Sequence, residues 1–234
     1  DRRSQSAIAQ RAPNAECEVV PNPIDLSSVE ALTADGSDVE EREQVGEPYV
    51  LFAGHVRNKK GASDLIRAWA LGRPLGWRLE MAGALDGHYH QDLASELGLG
   101  GSINFAGDLP QSELLRLMRG CGMFCLPSHT EGFPNAILEA MSLRRPVIAT
   151  PVGAVPEMLA GGAGVLVPVG DPERLSLALR HVASLADQGA AMANLAYNRV
   201  RTSYDMPVVF DQYLALWHLA TGRVSPDPTR LCSW

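Results

Sequence analysis

The feature that most restricts the fold is an alternation along most of the 234 residues. Short apolar runs read as strands: CEVVP (17–21), YVLFAG (49–54), WRLEMAG (77–83), INFAG (103–107), MFCLPS (123–128), PVIAT (146–150) and GVLVP (164–168). Between them, segments 63–71, 89–97, 111–119, 134–143, 155–160 and 172–185 carry apolar residues at helical spacing, as Leu114, Leu117 and Met118 do. A looser helical pattern covers 189–203, and a last helix is expected near 207–220. Strands alternating with helices predict an α/β domain, a doubly wound parallel sheet covered on both faces.

Several boundaries have local causes. Pro134 and Pro156 suit the first turn of a helix, where a missing N–H costs nothing. Asp171 and Pro172 form a cap followed by such a proline. Gly98, Gly100 and Gly101 close the helix before INFAG. The acidic stretch 35–48 reads as an exposed loop between the first strand and the main sheet, and SPDPTRLCSW as a tail after the last helix.

Composition excludes some functions. With 46% hydrophobic residues the chain can bury a sizeable core. Its formal charge of -7 argues against general affinity for nucleic acid or anionic membranes, so an anionic ligand needs a local site of positive potential. No apolar run approaches the ~18 residues of a membrane span, and no signal peptide heads the chain. Cys17, Cys121, Cys125 and Cys232 lack zinc-type pairing; Cys121 and Cys125 read as buried reduced thiols, which fits the cytoplasm. The chain opens without an initiator Met, as though entered partway along a longer protein.

Ligands of such sheets bind beyond the carboxyl ends of the strands, and three loops there carry suitable chemistry. The first, AGHVRNKKGASDL (53–65), follows Gly54 and sets His55, Arg57, Lys59 and Lys60 beside a helix start able to hold phosphate oxygens. A solvated basic turn would carry the same residues. The second, MAGALDGHYH (81–90), has Gly83 and Gly87, which permit close approach to the backbone. Asp86, His88 and His90 alternate there, but a helix starts among them, and a solvated helix start is preferred to a metal set. Nowhere are two aspartates separated by one residue, the usual clamp for a divalent cation on a nucleotide sugar.

The third loop, HTEGFPNAILEAM (129–141), puts Glu131 and Gly132 ahead of a helix carrying Asn135 and Glu139 on one face. These two are offset by about 6 Å along the axis. A diphosphate at the helix tip would set Glu139 one sugar ring away, able to grip two hydroxyls, with Glu131 on the other side of the phosphates. A solvated glutamate and a cap-region acid would look the same singly.

Taken together, EGFPNAILEAM and RRPVIATPVGAVPEML resemble the core signature of the family four retaining glycosyltransferases of the GT-B fold. That signature is two glutamates with seven residues between them, here Glu131 and Glu139. VVPNPID (19–25), VLFAGHVRNKKGASDLIRA (50–68), LEMAGALDG (79–87), INFAGDLP (103–110) and FCLPSHTEGF (124–133) match in the family's order, so the resemblance spans about 17–185.

The resemblance implies two Rossmann-like halves, of which this chain matches the C-terminal, donor-binding one. Residues 1–20 resemble a remnant of the N-terminal acceptor domain, 21–204 the nucleotide-sugar-binding domain, and 205–234 the crossover helix and tail. Without the missing half, the apolar side of VVFDQYLALWHLA would lack its usual cover.

By position, Lys60 matches the lysine on the donor diphosphate and Glu131 the glutamate on the transferred sugar; both are taken as catalytic. Glu139 matches the ribose glutamate. Gly132, Phe133, Pro134 and Asn135 match the turn whose amides reach sugar and phosphates, and Phe105 lies in the loop framing the base. Gly54 and Gly83 complete the donor set. His55 stands where the family has arginine, with Arg57 or Lys59 as replacement cations, and Pro151 and Ala154 depart from the family's residues.

The implied activity is hexosyl transfer from a nucleotide-diphosphate sugar, in glycan or cell-envelope polysaccharide synthesis. No cofactor or metal is expected, and this piece alone is expected to be inactive. A non-catalytic nucleotide-sugar-binding module and a nucleotide-sugar epimerase of the same fold are the rivals. The expected partners are the donor and the missing domain, not nucleic acid. Peripheral association of the full enzyme with the inner face of the membrane stays open.

Overall fold

A computed structural model of the chain describes Gln10 and residues 18–34 and 47–221. Its strands are β1 (Tyr49–Ala53), β2 (Arg78–Ala82), β3 (Ile103–Gly107), β4 (Met123–Leu126), β5 (Val147–Ala149) and β6 (Val165–Leu166). They form one sheet in the order β3-β2-β1-β4-β5-β6, every pair parallel. From β1 the chain steps outward to β3, then crosses back to β4 and proceeds the other way. The direction of winding therefore reverses between β1 and β4, which opens a crevice at the carboxyl edge of the sheet.

The connecting helices are α1 (Leu26–Ala34), α2 (Ala62–Gly72), α3 (Tyr89–Glu96), α4 (Gln111–Gly120), α5 (Asn135–Ser142), α6 (Val155–Met158), α7 (Pro172–Ser184), α8 (Ala186–Arg199) and α9 (Met206–Thr221). One layer packs α2 against α3 and α7; another packs α4 against α1 and α5, with α8 beside α5. Covered on both faces, β1 and β4 are apolar without alternation, and Val50, Leu51, Phe52, Met123, Phe124 and Cys125 are fully buried. The free thiols among the described residues, Cys121 and Cys125, lie in this core, where burial pushes the Cys121 thiol up to about 12.

Six of the seven anticipated strands form, and the anticipated helices form within a few residues. CEVVP does not: 18–20 carry no strand, and Cys17 lies outside the described residues. The segment instead reaches Ile24, whose N–H donates to the Tyr204 carbonyl at 2.8 Å while its own carbonyl accepts from Met206 N–H at 2.9 Å. A short apolar run becomes a strand only with a partner, and here it gains a single bridge, Ile24 to Asp205.

Helix α1 is the converse, a helix where the sequence reading placed none. Its buried residues, Leu26, Val29 and Thr33, are too few to stand out. Its cap is Asp25, whose carboxylate accepts from the Ser27 and Ser28 hydroxyls and the Ser28 N–H. These bonds lower the Asp25 carboxyl to about 2. Pro134 is likewise displaced: it is extended and caps α5, whose first residue is Asn135. The segment 155–160 is a helix ending at Met158, followed by a tight turn, Ala160–Gly162.

No described helix is long and apolar enough to cross a membrane. The tail and most of 1–20 lie outside the described residues.

Candidate functional site

The loop leaving β1 is shaped by its neighbours. Gly54 takes a φ of 136° while its N–H bonds the Ala82 carbonyl, and Val56 N–H then bonds Ala84. Asn58–Lys60 makes one tight turn closed by Gly61 at φ 74°. A Cβ on Gly61 would lie 1.9 Å from the Pro127 carbonyl oxygen, so this loop rests directly on the end of β4. The contact is fastened by His129 N–H donating to the Lys59 carbonyl at 2.9 Å. Asn58 is gripped from two sides, by the Ser63 hydroxyl and by His90 Nε2 at 3.3 Å.

That seating brings Lys60 to Glu131. Lys60 Nζ donates to Glu131 Oε1 at 2.7 Å and to Oε2 at 3.0 Å. The lysine side chain is 26% exposed and the glutamate 9%, so the pair is sheltered but open on one side. Ser128, fully buried, donates its hydroxyl to Glu131 Oε1 at 2.6 Å. Its carbonyl accepts from the fully buried Thr150 hydroxyl on the strand side of the loop after β5. Beneath the turn, a Cβ on Gly153 would meet the carbonyl oxygens of Glu131 and Gly132 at 2.3 Å, and Ala154 N–H donates to Gly132 O at 2.9 Å. The departures at Pro151 and Ala154 thus leave a loop that still backs the glutamate.

Helix α5 begins beside this pair. Its first N–H groups lack partners within the helix, which makes its tip favourable for anions. Gly132, Phe133 and Asn135 each carry a backbone N–H there, and Pro134 carries none. Gly132 has no neighbour within 4 Å of a Cβ position, so the protein itself leaves that space open. Phe133 turns its ring inward, edge-on to Tyr204 with centroids 5.6 Å apart, so its contribution is confined to its backbone. The Asn135 amide oxygen accepts from Asn22 Nδ2 at 3.1 Å. One turn further, Glu139 Oε1 accepts from Gln111 Nε2 at 2.7 Å. Burial raises the Glu139 carboxyl above the ordinary glutamate value, and the Gln111 bond partly opposes that rise.

Other anticipated positions resolve differently. His55 Nε2 meets Asp86 Oδ1 at 2.7 Å on the outer lip, while Arg57 is exposed. His88 bonds Gln91 and His90 bonds Asn58, so Asp86, His88 and His90 each face a separate partner rather than one centre. Gly83 is required by packing: a Cβ there would lie 2.0 Å from the Gly54 carbonyl oxygen. Phe105 sits within β3 opposite Met81 rather than in a loop, and is half-buried against the core. Sequence reading missed Gln111, Ser128, Thr150 and Asn22. Gln111 had a usable signal, because it opens the helix after β3 and so must lie on the carboxyl edge.

Residues 36–199 match the model of one protein family, described as glycosyl transferases group 1. The chain belongs to that family. Among curated relatives, D-inositol 3-phosphate glycosyltransferase of Corynebacterium urealyticum is 32% identical over 151 residues, 64% of this chain and 34% of that protein. D-inositol 3-phosphate glycosyltransferase 1 of Catenulispora acidiphila is 30% identical over 216 residues, 83% of this chain and 51% of its own length. The chain thus spans about a third to a half of these glycosyltransferases.

Solved structures share the fold. Sucrose-phosphate synthase from Thermosynechococcus elongatus superposes with a TM-score of 0.81 at 21% identity, covering 94% of this chain and 57% of its own. Anabaena Alr3699/HepE, solved in complex with UDP and glucose, gives 0.81 at 23% identity, covering 93% and 61%. A C-terminal domain of a group 1 glycosyl transferase, LpcC from Francisella tularensis, is covered to 99% by 78% of this chain, with a TM-score of 0.68 at 24% identity. The doubly wound sheet of this chain is therefore the kind carried by GT-B glycosyltransferases.

Proposed function

We propose that the chain binds the nucleotide-diphosphate sugar donor of a retaining glycosyltransferase, with the acceptor met by a further domain. One observation carries this reading: Lys60, beyond β1, and Glu131, beyond β4, converge at the reversal point of the sheet, beside the start of α5. A pyrophosphate there meets one ammonium and a helix tip. Glu139 follows one turn along, suited to ribose hydroxyls, and Glu131 to hydroxyls of the sugar. The complexes of Alr3699/HepE with UDP and glucose and with UDP-glucose support a nucleotide sugar as the ligand class. The relatives' names support transfer to a hydroxyl-bearing acceptor.

In the proposed reaction the bond between C1 of the sugar and the phosphate oxygen breaks with oxocarbenium character. Its electron pair stays with the leaving diphosphate, stabilised by Lys60 and the α5 amides. The acceptor oxygen bonds C1 on the same face, and its proton passes to a leaving phosphate oxygen. No metal takes part in this proposal. To be held near the diphosphate, Lys60 has to exchange some of its contact with Glu131 for phosphate oxygens.

The outer helix supports a second domain. Met206, Phe210, Tyr213 and Trp217 recur at spacings of four, three and four along α9, and all are exposed, Trp217 to 61%. Such a stripe buries itself against something in ordinary proteins, and a domain carried by the longer relatives is the proposed cover.

Calorimetry with UDP and GDP tests the donor site. Saturable binding of at least one is expected, weakened about tenfold or more in Lys60→Ala. Failure of both nucleotides to bind, or unchanged affinity in a folded Lys60→Ala, removes the reading. In an enzyme carrying both halves, the same substitution should lower kcat/KM by about a hundredfold or more.

A further inference from the structure

We infer that Gln111 is a positioning residue for Glu139: its side-chain amide occupies Oε1 and orients the carboxylate so that Oε2 is the oxygen presented to a vicinal diol. The inference rests on the proposed assignment of Glu139 to ribose hydroxyls and adds a residue and a mechanism to it.

The two side chains come from different elements, 28 residues apart, and meet at 2.7 Å. Gln111 is the first residue of α4 and follows Pro110, whose carbonyl accepts from Leu114 N–H at 2.9 Å, so the backbone that carries the amide is held by the first turn. Glu139 sits on the second turn of α5, fixed by the core residues Ile137, Leu138 and Ala140 on either side of it. A carboxylate rotates freely about its last bond unless a partner stops it, and a half-buried one also tends to take up a proton. The amide addresses both tendencies. It donates more strongly to the ionised carboxylate than to the protonated acid, opposing the effect of burial, and it fixes the plane of the carboxylate. What is left is one oxygen with two free lone pairs, matched to two adjacent hydroxyls rather than to one.

Two measurements on the chain itself separate this inference from the reading beneath it. Carboxyl carbon NMR follows the titration of Glu139, identified by the resonance lost in Glu139→Gln. Gln111→Leu, a change at an exposed position, should move the Glu139 midpoint to higher pH, and Gln111→Glu should move it further, since two neighbouring acids then share a proton. Coincident midpoints in the wild type and Gln111→Leu overturn the inference. The second measurement compares whichever of UDP and GDP the wild type binds with its 2′,3′-dideoxy analogue. The wild type should prefer the unmodified nucleotide, and Gln111→Leu should narrow that preference on the order of tenfold while still binding the diphosphate through Lys60. An undiminished preference in Gln111→Leu also overturns it. Movement of the midpoint with no binding of UDP or GDP to either protein upholds the positioning of Glu139 and overturns its assignment to ribose.

Discussion

Lys60 Nζ lies 2.7 Å from Glu131 Oε1, although 71 residues separate the two in sequence. The pair joins the ends of two strands that neighbour each other only because the sheet reverses its winding between them. Each charge is satisfied by the other, and Ser128 holds the glutamate from behind.

A double-mutant cycle of Lys60→Met and Glu131→Gln, read by urea denaturation, should give a coupling of about 2–3 kcal/mol, because a sheltered pair strands a charge when one partner goes. The same cycle on His55 and Asp86, 38% and 63% exposed, should give no more than about 0.5 kcal/mol. Equal couplings would mean that burial does not distinguish these pairs.

Two glycines with the same φ of 74° separate strain from crowding. Gly76 has open space where a Cβ would point, so Gly76→Ala should cost only the left-handed backbone term, about 1–2 kcal/mol. Gly61→Ala adds a collision with the Pro127 carbonyl and should cost roughly 2–4 kcal/mol in all. It should also weaken nucleotide binding, since the loop it displaces carries Lys60. Thermal unfolding and calorimetry on both variants check this.

Glu139 gives the stability a pH dependence of definite sign. Its carboxyl is raised by burial above the ordinary 4.5, so the folded chain holds that proton more tightly than the unfolded one. As pH rises from about the ordinary value through the raised one, this group subtracts stability, and the loss then stays constant. Glu139→Gln should leave stability unchanged at pH 3.5 to 4 and raise it at neutral pH, while weakening nucleotide binding. A variant less stable than wild type at pH 7 would contradict the sign. The titration of melting temperature with pH for both proteins is the measurement.

Arg144 occupies the left-handed region at φ 53°, with its guanidinium 3.9 Å from the centroid of the Tyr197 ring. The backbone term opposes an arginine there by about 1–2 kcal/mol, and an exposed cation on a ring returns about 0.5–1 kcal/mol. Arg144→Gly should therefore be neutral or stabilising by up to about 1 kcal/mol, and Arg144→Gly in a Tyr197→Leu background should be more clearly stabilising. Chemical denaturation of the four proteins decides it.

Elements with strong local periodicity were legible in advance. Strands β1 to β5 each carry an apolar run, and α2, α4 and α7 each repeat apolar residues along one face. The Asp171 cap is equally local, its carboxylate accepting from Arg174 N–H at 2.9 Å. CEVVP misled because an apolar run specifies a strand only when a partner is offered, and the nearest backbone offered was that of Tyr204 and Met206. Helix α1 escaped notice because so little of it is buried.

In the site, residue types carried the information and distances did not. Lys60, Glu131, Asn135 and Glu139 stood out from their loops, and the family resemblance ordered them. Gly83 has a structural reason that its sequence did not show, since its neighbour is the Gly54 carbonyl, and Phe105 was given the wrong setting, as it lies within a strand. Ser128 and Thr150 carry no local mark, because each matters only for the carboxylate or carbonyl it reaches, and Gln111 is marked only by its place at the start of the helix after β3.

By itself the order of residues determined the alternation of strands and helices, the turns made by glycine and proline, and which loops bear charge, because each depends on spacing within a few positions. Only the tertiary structure decided that the loops after β1 and β4 touch, that Ser128 and Lys60 share one oxygen of Glu131, and that Gln111 reaches Glu139. Those meetings depend on strand order and on which backbones approach within bonding distance, and no local pattern encodes either.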